Sequence, residues 1–427
     1  MKLRIEKPIY GGAGLAREEG KAIFVPFALP GELVEASIAN DHGSYAEAQI
    51  ENILEASRQR AQPQCPYFGV CGGCHYQHAN YLQQVEMKTQ ILREALERAR
   101  LIEIPEIGTL SGEPLGYRNR IRLHIDRANG RLCYKMRGSH QNLAVDDCPI
   151  AAPVLERALR AIQSATQLWQ LGNHFTEVEL FTNAAQDSIL LTLWAADDGQ
   201  SAARELKRLW PELRSAVPEA VGATVFSSER GKLTGRLLAQ TGDTSLNYAA
   251  AGHSYSVGAG SFFQVNRFLI DLLVEHVIKG HAGGVAWDFY AGVGLFSVAL
   301  ARSFEQIVAV ESGAGSARDL RRNLVGGPHR IVAGSTIEFL RRARTRNEKA
   351  PDLAVVDPPR TGLGKGVTKL LAEIRPAHIT YVSCDPATLS RDLKSLLDSG
   401  YHLSTLRMVD LFPQTFHLES VATLLLK

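Results

Sequence analysis

Cys384 and Glu419 are the residues of this chain best suited to covalent chemistry. Cys384 follows an apolar strand in TYVSCDPATLSRDL and stands just before a helix. A thiol near a helix N-terminus is easier to ionise, and so makes a better nucleophile. Glu419 stands in the last strand region, LFPQTFHLESVATLLLK, preceded by His417. Taken singly, such a thiol usually reads as a packed structural group and such a glutamate as a surface charge. Together, a nucleophile and a separate base at one sheet edge can add to a ring carbon and later strip a proton from the next carbon. A second group of thiols is Cys65, Cys71 and Cys74 in CPYFGVCGGC, spaced C-x5-C-x2-C, with Cys148 in DDCPI far downstream. Four thiolates suit zinc or an iron–sulfur cluster, and the spacing leaves both open: a zinc ribbon usually has two CxxC knuckles, and this chain has one.

The elements that must position these groups follow from texture. At 427 residues, 45% hydrophobic and 22% charged, the chain is globular and long enough for two or three domains with separate cores. It has no apolar run fit to span a bilayer and no secretion-signal layout at its start, so no membrane role is expected. Six cysteines are too sparse for a disulfide scaffold, which points to the reducing cytoplasm. Residues 1–58 alternate short apolar runs with GGAG, LPGE and NDHGS and read as a small OB-like β-barrel. Residues 59–255 read as a central α+β domain. From 256 to 427 the rhythm becomes β-α-β-α, which predicts an α/β, doubly wound, mostly parallel Rossmann-like sheet.

The last region carries a cofactor pattern. WDFYAGVG, residues 287–294, is a strand ending in an acid and a glycine turn, with Tyr290 and Gly292 at the turn and a helix after it. Glycines there let backbone approach a ligand closely. The next strand ends at Glu311, placed to accept hydrogen bonds from ribose hydroxyls. The dinucleotide fingerprint is absent, since its third glycine is Ser297 here, and the spacing fits S-adenosylmethionine (SAM) better. LAVVD closes on Asp357-Pro358-Pro359-Arg360, a stiff loop at the carboxyl edge of the sheet, where open α/β folds bind ligands. A methyl donor beside a thiolate and a base points to methylation of a pyrimidine at C5. That carbon becomes nucleophilic only after a thiolate adds at C6, and its proton must then be removed.

DPPR, SCDPATLSRDL, LFPQTFHLES, SFFQVN and CPYFGVCGGC, in this order of roles over nearly the whole chain, resemble the RNA 5-methyluridine methyltransferases. The barrel resembles the TRAM RNA-binding module. Within the family the layout is most similar to the 23S rRNA (uracil-5-)-methyltransferases that carry a 4Fe–4S cluster. The resemblance implies Cys384 as nucleophile, Glu419 as proton-abstracting base, and Gln264, Tyr290, Glu311 and Asp357 at the SAM site, with Ser335 a weaker candidate. It implies Phe262 or Phe263 against the flipped base, and Cys65, Cys71, Cys74 and Cys148 as ligands of the cluster. This chain departs from the family with Ala291 in the glycine turn, with Ala333-Gly334-Ser335 at the third strand tip, and in ESGAGSARD after Glu311. These leave the adenine contacts open.

RNA should reach the site along YRNRIRLHID, residues 117–126. Strict alternation puts Arg118, Arg120, Arg122 and His124 on one strand face, and 117–137 holds seven Lys and Arg against one acid, a ribbon fit to lie along phosphates. Residues 1–57 hold five Lys and Arg against nine acids, so the barrel must act by shape. The cluster is expected to staple the loop to the Cys148 segment, and Cys133 to be a plain packed thiol. A uridine in a stem must be swung out to meet a buried thiolate. The expected enzyme is a monomer acting on 23S rRNA. The alternatives are the tRNA T-loop, a catalytically retired RNA-binding or iron–sulfur protein, and a small-molecule or DNA methyltransferase. Having both Cys384 and Glu419 speaks against a retired site. The barrel and basic hairpin, and the lack of a Pro-Cys motif, speak against the last.

Overall fold

The computed structural model describes residues 1–101, 103–165, 170–196, 200–228 and 235–427. The N-terminal strands Lys2–Arg4, Lys7–Pro8, Ala13–Glu18, Lys21–Pro26, Leu33–Asp41 and Tyr45–Glu55 form one six-stranded, mostly antiparallel sheet. It curls around its own core of Leu3, Ile5, Ile23, Val25 and Val34.

The central sheet runs Asn142–Ala144, Leu132–Lys135, Arg120–Ile125, Phe175–Thr182, Ile189–Ala195, Ala220–Ser227, Leu237–Gly242. The helices Pro153–Ser164 and Gln200–Ala216 cover its apolar face. The basic segment is therefore not a free ribbon. Arg120–Ile125 lies inside this sheet, held along its length by Phe175–Thr182 and for only two residue pairs by Leu132–Lys135. The alternation does hold: Ile121, Leu123 and Ile125 are buried, while Arg122 is exposed. Cys133 is packed in as expected.

The C-terminal sheet runs Arg330–Ala333, Phe304–Glu311, Gly283–Phe289, Leu353–Val356, His378–Ser383, Glu419–Leu426, Tyr401–Val409, Ile107–Leu110. Its first five strands are parallel and Glu419–Leu426 runs antiparallel to its neighbours. Apolar layers fill both faces, giving the doubly wound architecture.

The barrel keeps its own core within 1–58, but the central domain expected over 59–255 does not follow the cores. Ile107–Leu110 adds to the C-terminal sheet beside Tyr401–Val409, and the helix Tyr81–Arg98 buries Ile91, Leu92 and Leu96 in that sheet's layer. The hairpin Ser245–Ala250 with His253–Gly258 packs on the other face. Both lie outside the expected limits because an apolar helix stripe or hairpin face goes to the layer that buries it, wherever the chain's texture changes. No helix among the described residues is long and apolar enough to cross a membrane.

Candidate active site

Register brings the thiol and the carboxylate together. Strands His378–Ser383 and Glu419–Leu426 pair antiparallel with Ser383 opposite Ser420, and the Ser420 hydroxyl donates to the Ser383 carbonyl at 3.1 Å. The pairing ends there, and the next residue on each chain, Cys384 and Glu419, stands at the carboxyl edge of the sheet, near enough for the Glu419 charge to act on the Cys384 thiol.

Both groups are held in their neutral forms. Burial, then the charges of Glu419 and Asp357, push the Cys384 thiol up to about 12. Helix placement does not make the thiol acidic, contrary to expectation. The N-cap of helix Pro386–Leu397 is Asp385, whose carboxylate takes the amides of Ala387 and Thr388 at 3.1 and 2.8 Å. Glu419 is buried with Oε1 unpartnered, and burial, then Asp357, raise its pKa well above the carboxylate range. The opposing charge is Arg360, which lowers both. Its guanidinium donates at 3.3 Å to His417, itself kept neutral by burial.

Behind this pair is a second acidic layer. Burial raises Asp357 to about 7, with Asp288 adding to it, and burial raises Asp288 to about 7. Asp288 hydrogen-bonds Ser297 through Oδ2, while Oδ1 has no partner. Buried carboxylates that repel one another and lack partners are poised for a cation, and SAM carries two, a sulfonium and an ammonium. At the neighbouring strand tip, Glu311 accepts from the amides of Gly292 and Gly313 at 2.8 and 2.5 Å, tying the glycine turn to the acid that would meet a ribose. Gly292 and Gly294 have φ of +56° and +95°, and a Cβ on Gly294 would come 2.7 Å from Leu320. Tyr290 and Ser335 line a cavity of about 260 Å³ with Val310, Ile337 and Leu363. Ser335 also caps helix Thr336–Thr345. Gln264 is buried, and its backbone carbonyl accepts from the Asn119 side-chain amide at 2.9 Å.

Sequence reading missed what holds the loop before Glu419. Lys88 and Asp410 form a fully buried ion pair at 2.6 Å, and Lys88 also donates to the Phe412 carbonyl. Gln414 takes a left-handed φ of +69°. Its amide and side chain bond Gln84, and its carbonyl accepts from the His75 and Tyr76 amides of the cysteine loop at 2.7 and 2.9 Å. Gln84 and Lys88 stand one turn apart on helix Tyr81–Arg98. Two polar residues on that helix's inward face were the available signal.

The four expected thiols, Cys65, Cys71, Cys74 and Cys148, line one cavity of about 100 Å³. Burial raises each thiol, and a further charge adds to this, from neighbouring thiols at Cys71, Cys74 and Cys148 and from Asp147 at Cys65. Donors stand ready: the Gly73 amide is 3.4 Å from Cys71 Sγ and the Tyr134 hydroxyl 3.7 Å from Cys148 Sγ. Among the described residues, no group of three or more His, Cys, Asp or Glu is arranged so that it could hold a metal ion.

The RNA-contact residues divide. Arg118 lines the cysteine cavity, where its charge favours the thiolates of Cys74 and Cys148. Arg120 donates to the Ser261 carbonyl at 2.7 Å and pairs with Glu179. Arg122 pairs with Glu177 and covers the Trp194 ring at 3.7 Å. The acids of strand Phe175–Thr182 thus neutralise the basic face. Phe263 is buried against Tyr248 and Tyr255, whereas Phe262 is 54% exposed and free to stack.

Sheet order, glycine turn and acidic cleft define a SAM-dependent methyltransferase with a further barrel at its N-terminus. Residues 1–50 match the TRAM domain. The chain belongs to the RNA uracil-5 methyltransferases: residues 80–326 and 338–427 match the family described as tRNA (Uracil-5-)-methyltransferase. It is 32% identical to an uncharacterized RNA methyltransferase of Aquifex aeolicus, covering 100% of this chain and 99% of that one. It is 31% identical to the 23S rRNA (uracil(1939)-C(5))-methyltransferase RlmD of Vibrio parahaemolyticus, covering 98% and 94%. The fold is that of the Pyrococcus abyssi tRNA (uracil-54, C5)-methyltransferase solved with S-adenosyl-L-homocysteine, at TM-score 0.77 and 22% identity over 100% of both chains.

Proposed function

We propose that the chain methylates C5 of a uridine in 23S rRNA through a covalent adduct between Cys384 and C6. The closeness of Cys384 and Glu419, each the next residue beyond the Ser383–Ser420 pair and linked through charge, carries this reading. The Cys384 thiolate adds to C6, the ring's electrons move onto O4, and C5 becomes the nucleophile. Bound SAM supplies the methyl group that C5 takes. Glu419 then removes the remaining C5 proton, the C5–C6 double bond reforms, and the thiolate leaves. Asp357, Asp288 and Glu419 face the cationic donor. Glu311 would hold its ribose, Tyr290 and Ser335 its adenine, and Gln264 and Gly292 border the same cleft. Phe262 would stack on the uridine or a neighbouring base.

Cys65, Cys71, Cys74 and Cys148 fit a 4Fe–4S cluster in their chemistry, with one shared cavity, amide and hydroxyl donors at the sulfurs, and Arg118 as counter-charge. The cluster would supply a four-cornered crosslink. The chain's own loop then delivers the His75 and Tyr76 amides to Gln414, so the staple would support the loop before Glu419 more directly than the basic strand. Ribosomal RNA is favoured by the full-length identity to the 23S relatives, while the shared fold with a tRNA enzyme supports the T-loop as second reading. The test is to incubate the protein with SAM and each unmodified RNA and map 5-methyluridine by mass spectrometry. Product in 23S rRNA alone is expected. Product in tRNA alone would reassign the target, and none in either would refute the reading.

A further inference from the structure

The barrel places one side chain in the cleft. Tyr10 lies in the turn between strands Lys7–Pro8 and Ala13–Glu18, followed by Gly11 and Gly12 at φ of +110° and +93°. These glycines fold the turn against the cysteine loop, where a Cβ on Gly12 would come 3.1 Å from the Cβ of His75. Lys7 pairs with Glu94 of helix Tyr81–Arg98 at 2.6 Å and pins the barrel behind the turn. Tyr10 is half-buried, edge-on to Phe416 at 5.3 Å between ring centroids. Its hydroxyl donates to the Cys384 carbonyl at 3.5 Å. A hydrogen bond that long is weak and readily exchanged for a better acceptor.

The chemistry around Tyr10 is lopsided. Glu419, Asp357 and Asp385 are acceptors once ionised, whereas uracil presents acceptors of its own at O2 and O4. Addition at C6 drives negative charge onto O4, which calls for donors. Arg360 is one. The Tyr10 phenol is another, kept protonated at neutral pH because burial, then the charge of Asp385, push it up to about 12.

We propose that Tyr10 is a substrate-contacting residue: its hydroxyl moves from the Cys384 carbonyl to a carbonyl oxygen of the extruded uracil, and its ring with Phe416 forms the wall the base lies against. The barrel is then part of the active site as well as an RNA grip. This rests on the uridine reading above. Tyr10→Phe keeps the ring and removes the donor, and Tyr10→Ala removes both. The rate of covalent adduct formation is measured with target RNA carrying 5-fluorouridine, whose C5 cannot be deprotonated, alongside SAM affinity and thermal midpoint. Tyr10→Phe should slow adduct formation about a hundredfold, the scale of losing one preorganised donor, with SAM affinity and midpoint unchanged. Tyr10→Ala should be slower still. A wild-type adduct rate in Tyr10→Phe overturns the proposal, and so does a slowing matched by lost SAM affinity or midpoint. If the wild-type protein forms neither adduct nor 5-methyluridine, the uridine reading itself falls and Tyr10's role with it.

Discussion

The chain holds two half-buried thiol sites, and burial raises every thiol in both. Their surroundings differ. Cys384 stands alone among carboxylates, with Arg360 opposing them. The quartet around Cys74 has other thiols as neighbours, with Arg118 and two donors beside them. A single thiol among buried carboxylates stays protonated until a cation arrives, so its reactivity is gated by what binds next to it. Four thiols around one cavity can lose their protons together only to a group with several positive charges. The same perturbation thus serves a transient bond in one place and a permanent crosslink in the other.

That contrast breaks most sharply by removing one sulfur from each site. Cys384→Ala should reduce 5-methyluridine formation at least about 10⁴-fold, the scale of losing a covalent nucleophile, and leave the thermal midpoint near wild type. Glu419→Gln should form the adduct and fail to release it, so a protein–RNA species survives denaturing electrophoresis. Cys74→Ala should do the reverse of Cys384→Ala, lowering the midpoint and leaving residual turnover. If Cys74→Ala abolished turnover at an unchanged midpoint, the two sites could not be told apart in the way argued here.

The link between the sites can be cut separately. Lys88→Met leaves Asp410 buried and unpaired, which costs about 3–5 kcal/mol. Adding Asp410→Leu should recover most of that stability in chemical denaturation. A single variant as stable as wild type would show that the ion pair does not anchor the loop.

Much of this was legible in the chain. Strand tips at Asp288, Glu311 and Asp357 and the turn at Gly292 are local patterns, and local patterns survive folding. The pairing of Cys384 with Glu419 was visible only as a chemical need, since strand register is a long-range property. The basic strand misled because alternation reports which residues share a face and says nothing of what the next strand brings to it. Glu177 and Glu179 lie far along the chain and cancel Arg122 and Arg120. Arg118 lines the cysteine cavity for a similar reason: it precedes the paired strand, where the chain bends towards Cys148. Phe262 and Phe263 are neighbours of opposite exposure, and only the packing of Tyr248 and Tyr255 decides between them. The acidity expected of Cys384 also failed, because burial and then the charges of Glu419 and Asp357 push the thiol up.

The smallest expected effect tests the gating directly. Asp357 and Asp288, each raised to about 7, are largely protonated at pH 6 and largely ionised at pH 8. A cationic ligand favours the ionised form, so binding must release a proton below pH 7 and none well above it. By linkage, with one proton released from the interacting Asp357–Asp288 pair, affinity for SAM should rise about tenfold between pH 6 and pH 8 and then level off. The analogue S-adenosyl-L-homocysteine lacks the sulfonium and should show a shallower rise, because its remaining cation is the ammonium alone. Asp357→Asn should flatten the slope for SAM more than for the analogue, read by calorimetry across that range. Equal slopes for both ligands would mean that these carboxylates do not face the sulfonium, and Cys384 would then need Arg360 alone to ionise it.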